Sequence, residues 1–143
     1  MRSRPAVALL ALVALGACTA PARGEPEAEK VVTLTAHWSR FSVTSSGQEG
    51  GDHVQVPVGT TVRFVVRNAD PIAHELIVGD EEVQDRHEKG TEAHHGERAG
   101  EVSVPAGGTA ETTYRFDRRG TVLFGCHLPG HWAYGMRGTI EVV

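Results

Sequence analysis

Apolar and polar residues alternate along two stretches of the chain, residues 31–78 and 102–143, and many of the apolar positions are β-branched. A period of two with valine, isoleucine and threonine predicts half-buried β-strands, and the glycines and prolines between them predict turns. The predicted strands lie in residues 31–43, in HVQV ahead of a Pro-Val-Gly turn, and in residues 61–67, 74–78, 102–108, 109–120, 121–127 and 138–143. Short strands at this spacing predict an all-β fold, either an antiparallel β-sandwich or a small barrel.

Residues 79–101 interrupt the alternation. They hold eight acidic and three basic residues and almost nothing apolar. Such a composition favours a polar loop or a short helical insertion that lies in solvent outside the core.

The amino terminus has the composition of a targeting segment. Residues 1–17 combine the basic start MRSR with a short apolar run, which predicts a signal peptide rather than a membrane-spanning helix. Residues 15–18, LGAC, resemble the bacterial lipobox, which implies cleavage before Cys18 and lipidation of its sulfur; a plain secretory signal is the alternative. Residues 18–30 are then a lipidated N-terminus and flexible tether, and residues 31–143 are the folded domain. The expected location is outside the cytoplasm, with a lipid anchor to a bacterial membrane, or else secretion.

Net charge and cysteine content restrict the classes of function that the chain can have. Without residues 1–17 the chain has 12 basic and 18 acidic residues, a net charge of about −6, which argues against nucleic acid as a partner. The only cysteines are Cys18 and Cys126. If Cys18 carries lipid, Cys126 has no disulfide partner, and a free thiol outside the cytoplasm is most simply explained as a metal ligand.

Residues 126–136, CHLPGHWAYGM, supply several ligand types in one short segment. Cys126 offers a thiolate, His131 an imidazole and Met136 a thioether, at intervals of five residues. Soft sulfur with imidazole nitrogen suits copper, because sulfur stabilises Cu(I) while nitrogen tolerates Cu(II). A trigonal site needs a second imidazole, and His74, at the start of a predicted strand, is the candidate.

These two segments together resemble the cupredoxins, the blue-copper proteins that include plastocyanin and azurin. The matching residues are Asn68 and Asp70 in NADPIAHE, then His74, Cys126, His131 and Met136. The resemblance implies an eight-stranded Greek-key β-sandwich with one type 1 copper at one end. It also implies that Asn68 braces the loops and that electrons leave through His131. The implied role is one-electron transfer to a redox partner protein, with a membrane-bound oxidase or reductase as the candidate class, rather than enzymatic catalysis.

The same loop is also similar to the carboxyl-terminal motif of multicopper oxidases, in which the histidine after the cysteine serves a trinuclear cluster. His127 occupies that position, but no histidine stands just before Cys126, and the paired His-X-His motifs are missing. His127 is therefore predicted to lie beside the copper site without binding its metal, or at the surface. A binuclear site is excluded because it needs two thiolates.

Several alternatives remain open at this point. Cys126 and Met136 are also explained as core residues, and His74 as a strand-end histidine. Trp132 and Tyr134 either pack or form an apolar docking rim around His131. His87, His94 and His95 form a candidate accessory metal site, or a solvated face, while His37 and His53 have no ligand context. The alternative function is copper binding, buffering or delivery, and an adhesion sandwich would leave the thiol unexplained.

Overall fold

The computed structural model describes residues 29–45, 48–49, 51–90 and 98–143. The predicted signal peptide, Cys18, most of the predicted tether, and His94 and His95 lie outside these residues. The elements, in chain order, are β1 (Glu29–His37), β2 (Arg40–Ser45), β3 (Gln48–Glu49), β4 (His53–Val56), β5 (Thr60–Asn68), β6 (His74–Gly79), α1 (Glu81–Lys89), β7 (Glu101–Val104), β8 (Thr109–Phe116), β9 (Gly120–Gly125) and β10 (Arg137–Val142).

The strands form two five-stranded sheets, ordered β3-β2-β1-β5-β8 and β4-β10-β9-β6-β7, which confirms the predicted β-sandwich. The sheets are mixed rather than purely antiparallel, because β1 pairs with β5 and β4 pairs with β10 in parallel. Alternation of apolar residues fixes which face of a strand is buried but carries no information about the direction of its partner. No helix of the described residues combines the length and the apolar character needed to cross a membrane.

Alternate residues of the strands fill the space between the sheets. In β5, Val62, Phe64 and Val66 are fully buried, and Phe41 of one sheet packs on Phe124 of the other with ring centroids 5.8 Å apart. Strand β6 departs from this pattern, since all six of its residues are buried. Its second face is therefore covered, and α1 is one of the elements that contact it.

One predicted strand was wrong. The single strand expected over residues 31–43 is a hairpin, in which β1 and β2 are joined at Trp38 and Ser39, both with positive φ. No glycine or proline marks this turn in the sequence. Strand β1 starts at Glu29, two residues ahead of the predicted start of the domain, and the carboxylate of Glu29 forms an ion pair with Arg63 of β5.

The insertion contains the predicted short helix, but this helix is not fully solvated. Asp80 caps α1 by accepting a hydrogen bond from the backbone N–H of Val83, at 3.0 Å. Gln84 is only 3% exposed. Its amide lies within hydrogen-bond distance of three backbone carbonyls, those of Ile77, Gly79 and Leu123. These contacts attach α1 to β6 and β9 in the sheet that carries the candidate site.

Candidate metal centre

Three neighbouring strands bring the predicted ligands to one end of the sandwich. His74 is the first residue of β6, Cys126 follows β9, and Met136 precedes β10. Strands β10, β9 and β6 are adjacent in one sheet, with Gly125 paired to Ile77 on one side and to Arg137 on the other. His131 lies on the β9–β10 loop, so the fold places all four residues near the same edge.

The ligand atoms of His74, Cys126 and His131 all lie within 4.8 Å of one another. The Nδ1 atom of His131 is 3.2 Å from the sulfur of Cys126 and 3.3 Å from Nδ1 of His74. His74 and Cys126 are buried, whereas His131 is half-buried. Both imidazoles therefore direct Nδ1 toward the thiol of Cys126. Two of the three residues are buried, so the site faces solvent mainly at His131.

Met136 closes the loop through its backbone. Its carbonyl accepts a hydrogen bond from the N–H of Cys126 at 3.0 Å, and its own N–H donates to the carbonyl of His131 at 2.9 Å. The side chain is fully buried in the same apolar cluster as Cys126. Gly130 and Gly135 have φ values of 84° and 90°, which other residues adopt only with strain. The loop is thus a compact connection of defined shape.

The side chain of Asn68 connects two loops near the site by hydrogen bonds. Its side-chain amide donates to the carbonyls of Ile72, at 2.8 Å, and Pro105, at 3.0 Å. Its side-chain oxygen accepts the N–H of Asp70 at 2.9 Å. Asn68 is 4% exposed, so these bonds satisfy a buried amide and hold the segment that leads into His74.

Asp70 contacts the first histidine directly. Its Oδ2 atom lies 2.8 Å from Nε2 of His74, the nitrogen on the far side of the ring from the site. Burial alone would raise the pKa of Asp70, but hydrogen bonds from the N–H groups of Ser39 and Trp38 and from the His74 ring outweigh it, so the pKa is lowered. The sequence places Asp70 in the motif but does not reveal this contact.

The thiol of Cys126 is protonated at neutral pH when no metal is bound. Burial raises its pKa to about 11, despite backbone N–H groups of Leu128 and Glu75 that favour the thiolate. Burial also lowers the pKa of His131, and the neighbouring His74 lowers it further, so this imidazole is neutral and free to bind a metal. A metal bound here must displace the proton of the thiol.

His127 lies between the loop and α1. Its side chain is 2% exposed; Nε2 is 2.7 Å from the side-chain oxygen of Gln84 and Nδ1 is 2.9 Å from a carboxylate oxygen of Glu88. Its backbone N–H donates to the carboxylate of Glu75 at 2.8 Å. Both ring nitrogens are therefore occupied by protein groups, which agrees with the expectation that His127 lies beside the site without binding its metal.

Sequence reasoning missed Gln84 and Glu75. Glu75 follows His74 directly and is 3% exposed, and a charged residue inside an otherwise apolar strand was the available signal. Gln84 gave no such signal, because one polar residue among many in an acidic segment is unremarkable. Glu75 bonds the backbone N–H of His127, and Gln84 bonds the ring of the same residue.

The other histidines are distributed as follows. His87 turns inward, with Nδ1 2.8 Å from the carbonyl of Val83 and Nε2 3.4 Å from Glu101, so an accessory metal on His87 would have to displace these contacts. His94 and His95, the other predicted members of that site, are outside the described residues. His53 bonds Thr139, and His37 lies 3.6 Å from Asp70.

The two aromatic residues of the loop have different environments. The ring of Trp132 stacks on the ring of His127, with centroids 4.6 Å apart, and it also contacts the guanidinium of Arg137, at 5.1 Å from the ring centroid. Tyr134 is 76% exposed. Packing therefore accounts for Trp132, while Tyr134 remains available for the predicted docking rim.

Gly125 leaves the space that Trp132 occupies. A methyl group added at Gly125 would overlap the six-membered ring of Trp132, so Gly125→Ala is expected to displace the indole and destabilise the fold by about 1–3 kcal/mol. Urea unfolding of the copper-free protein measures this loss. In a Trp132→Ala background the overlap is absent, and the same substitution should cost much less. An equal cost in both backgrounds would contradict the assigned overlap.

The donor set fits copper. A buried thiol and two imidazoles that converge, with a methionine next to them in the core, correspond to the trigonal sulfur–nitrogen sites of blue-copper proteins, in which the thioether is a weak axial ligand. Bound copper supplies one-electron chemistry between Cu(I) and Cu(II). The residues would hold it inside a closed, hydrogen-bonded end of the sandwich.

Comparisons with known proteins agree with this geometry. The family model of copper-binding proteins of the plastocyanin/azurin family matches residues 50–143. The copper-resistant cuproprotein CopI of Rubrivivax gelatinosus is 34% identical over 93 residues, a match that covers 62% of this chain and 56% of that protein. This chain thus spans little more than half the length of that relative.

Solved structures share the fold at low identity. Auracyanin B has a TM-score of 0.61 and 21% identity, over 83% of this chain and 91% of that one. A multi-copper oxidase from Pediococcus acidilactici has a TM-score of 0.53 and 13% identity, over 94% of this chain but only 30% of the oxidase. From the family match and the His-Cys-His site together, the chain belongs to the plastocyanin/azurin family of copper-binding proteins, and its cofactor is one type 1 copper ion.

Proposed function

We propose that this protein carries single electrons outside the cytoplasm on one copper ion held by His74, Cys126, His131 and Met136. The observation that carries the proposal is the convergence of three ligand atoms within 4.8 Å of one another, on strands and a loop fixed by backbone hydrogen bonds. Ligands held by such a framework need little rearrangement when the metal changes charge. His131 is the most exposed of the four ligands, so its edge is the expected exit for the electron.

The proposed redox partner docks at this end of the sandwich. Tyr134, Trp38 and Ile72 are exposed near the loops that carry the ligands, at 76%, 80% and 48%. Exposed aromatic and apolar side chains favour a partner protein over a small molecule. The signal peptide and the lipid on Cys18 remain predictions; mass spectrometry of the mature protein from a bacterial membrane fraction tests both.

The second candidate function is copper handling, in which the protein buffers, delivers or sequesters copper. It is favoured by the name of the CopI relative, a copper-resistant cuproprotein. In this case the protein contributes to copper tolerance by binding the ion, and transfer of the metal matters more than transfer of electrons.

Redox cycling in the presence of a strong Cu(I) chelator separates the two functions. The copper-loaded protein is reduced and reoxidised repeatedly while its visible absorption is followed. An electron carrier is expected to recover its full absorption after each cycle, because the buried ligands retain copper in both states. Progressive loss of absorption with matching growth of the chelator complex would favour copper handling and contradict the electron-carrier proposal.

A further inference from the structure

The carboxylate of Asp70 is built into the copper end of the fold. Asp70 is 6% exposed; its Oδ1 accepts the N–H of Trp38 at 2.8 Å, its Oδ2 accepts the N–H of Ser39 at 3.0 Å, and Oδ2 also lies 2.8 Å from Nε2 of His74. Backbone N–H groups bonded to both oxygens favour the ionised carboxylate over the protonated form. Asp70 is therefore a buried negative charge in contact with a copper ligand.

The turn between β1 and β2 is shaped around this charge. Trp38 and Ser39 have φ values of 53° and 50°, a left-handed conformation that glycine and asparagine adopt far more readily. In this conformation their successive N–H groups point at the same carboxylate, as in the backbone concavities that bind anions. The indole of Trp38 is 80% exposed, so packing of its side chain contributes little to this conformation. The two-residue hairpin requires positive φ at both positions, and the hydrogen bonds to Asp70 stabilise these two residues in it.

The hydrogen bond from His74 sets the state of its ring. Because Asp70 only accepts, the proton of the neutral imidazole lies on Nε2, which leaves the lone pair of Nδ1 directed at Cys126 and His131. A carboxylate bonded to the far nitrogen also makes a ligand imidazole a stronger donor. Among the described residues, the other titratable group that faces Asp70 is His37; its Nδ1 lies 3.6 Å from Oδ1 of Asp70, and its side chain is 53% exposed.

We propose that Asp70 is a positioning residue that fixes His74 as an Nδ1 ligand and stabilises Cu(II) relative to Cu(I). The copper centre therefore has a lower reduction potential than it would have with a neutral residue at position 70. The reason is electrostatic. Cu(II) carries one more positive charge than Cu(I), so a buried negative charge next to the ligand stabilises the oxidised form more. The inference rests on the proposed role of His74 as a ligand.

The test is the reduction potential of the copper-loaded full chain with Asp70→Asn and, in parallel, Asp70→Ser, which is smaller and also neutral. Either change is expected to lower the ratio of Cu(II) to Cu(I) affinity about tenfold, which raises the potential of a one-electron couple by about 59 mV. Asp117→Asn removes the same charge at the opposite end of the sandwich, before β9 begins, and should leave the potential unchanged. A potential that stays constant or falls in the Asp70 variants would overturn the proposal.

A second measurement needs neither a variant nor copper. Nitrogen NMR of the copper-free wild-type chain reports the tautomer of His74, which we expect to be protonated at Nε2. A proton on Nδ1 would overturn the positioning role. If the wild-type chain bound no copper through Cys126, the proposed function would fail while the tautomer of His74 still tested the contact with Asp70.

Discussion

Cys126→Ser is expected to abolish the intense visible absorption of the copper-loaded protein and to weaken copper binding by at least about 100-fold. The thiolate is the one soft anionic donor at the site, and loss of groups that merely support a ligand already costs 10–100-fold in metal affinity. A serine hydroxyl at this buried position does not ionise in the accessible pH range. Visible absorption during a copper titration measures both effects.

The other cysteine provides the matched control. Cys18→Ser also replaces one cysteine, but this residue precedes the predicted domain, so absorption and affinity are expected to remain as in the wild type. Far-ultraviolet circular dichroism of the copper-free Cys126→Ser variant should match that of the wild type, since the two side chains are nearly equal in size. Survival of the visible band in Cys126→Ser would contradict thiolate ligation.

Phe124→Ala is expected to lower the free energy of unfolding by about 3–5 kcal/mol, a larger loss than that expected for Gly125→Ala. Phe124 is fully buried on β9 and packs on Phe41 of the opposite sheet, so truncation leaves a cavity between the two layers. Domains of this kind have only about 5–15 kcal/mol of stability in total. Urea unfolding of the copper-free chain is the appropriate measurement, because bound copper would add stability by mass action.

Phe124→Leu serves as the control for this prediction. It retains most of the buried apolar volume and should therefore cost clearly less than Phe124→Ala. A loss below about 1 kcal/mol in Phe124→Ala would show that the two sheets do not depend on this contact.

Strands that bury one face were predictable from the alternation of apolar and polar residues in the sequence. The alternation in residues 61–67 corresponds to β5, where Val62, Phe64 and Val66 point into the core. The parallel pairing of β1 with β5 was not predictable, since the same alternation serves either direction. The turn at Trp38 and Ser39 was missed because a distant carboxylate, that of Asp70, holds it, rather than local turn residues.

The candidate ligands were visible in the sequence for a different reason. Cys126, His131 and Met136 lie close together along the chain, so their grouping needed no knowledge of the fold. The hydrogen bonds around these ligands could not be predicted without knowledge of the fold. Gln84 reaches His127 across 43 positions of the sequence, and this contact exists only because α1 packs on the sheet that carries Cys126.

Anomalous X-ray scattering at the copper absorption edge, from crystals of the copper-loaded protein, tests the central claim most directly. We expect a single strong peak enclosed by the sulfur of Cys126 and the Nδ1 atoms of His74 and His131. A peak elsewhere, such as beside His87 or within residues 91–97, with none between these three atoms, would contradict the account of this protein as a type 1 copper protein.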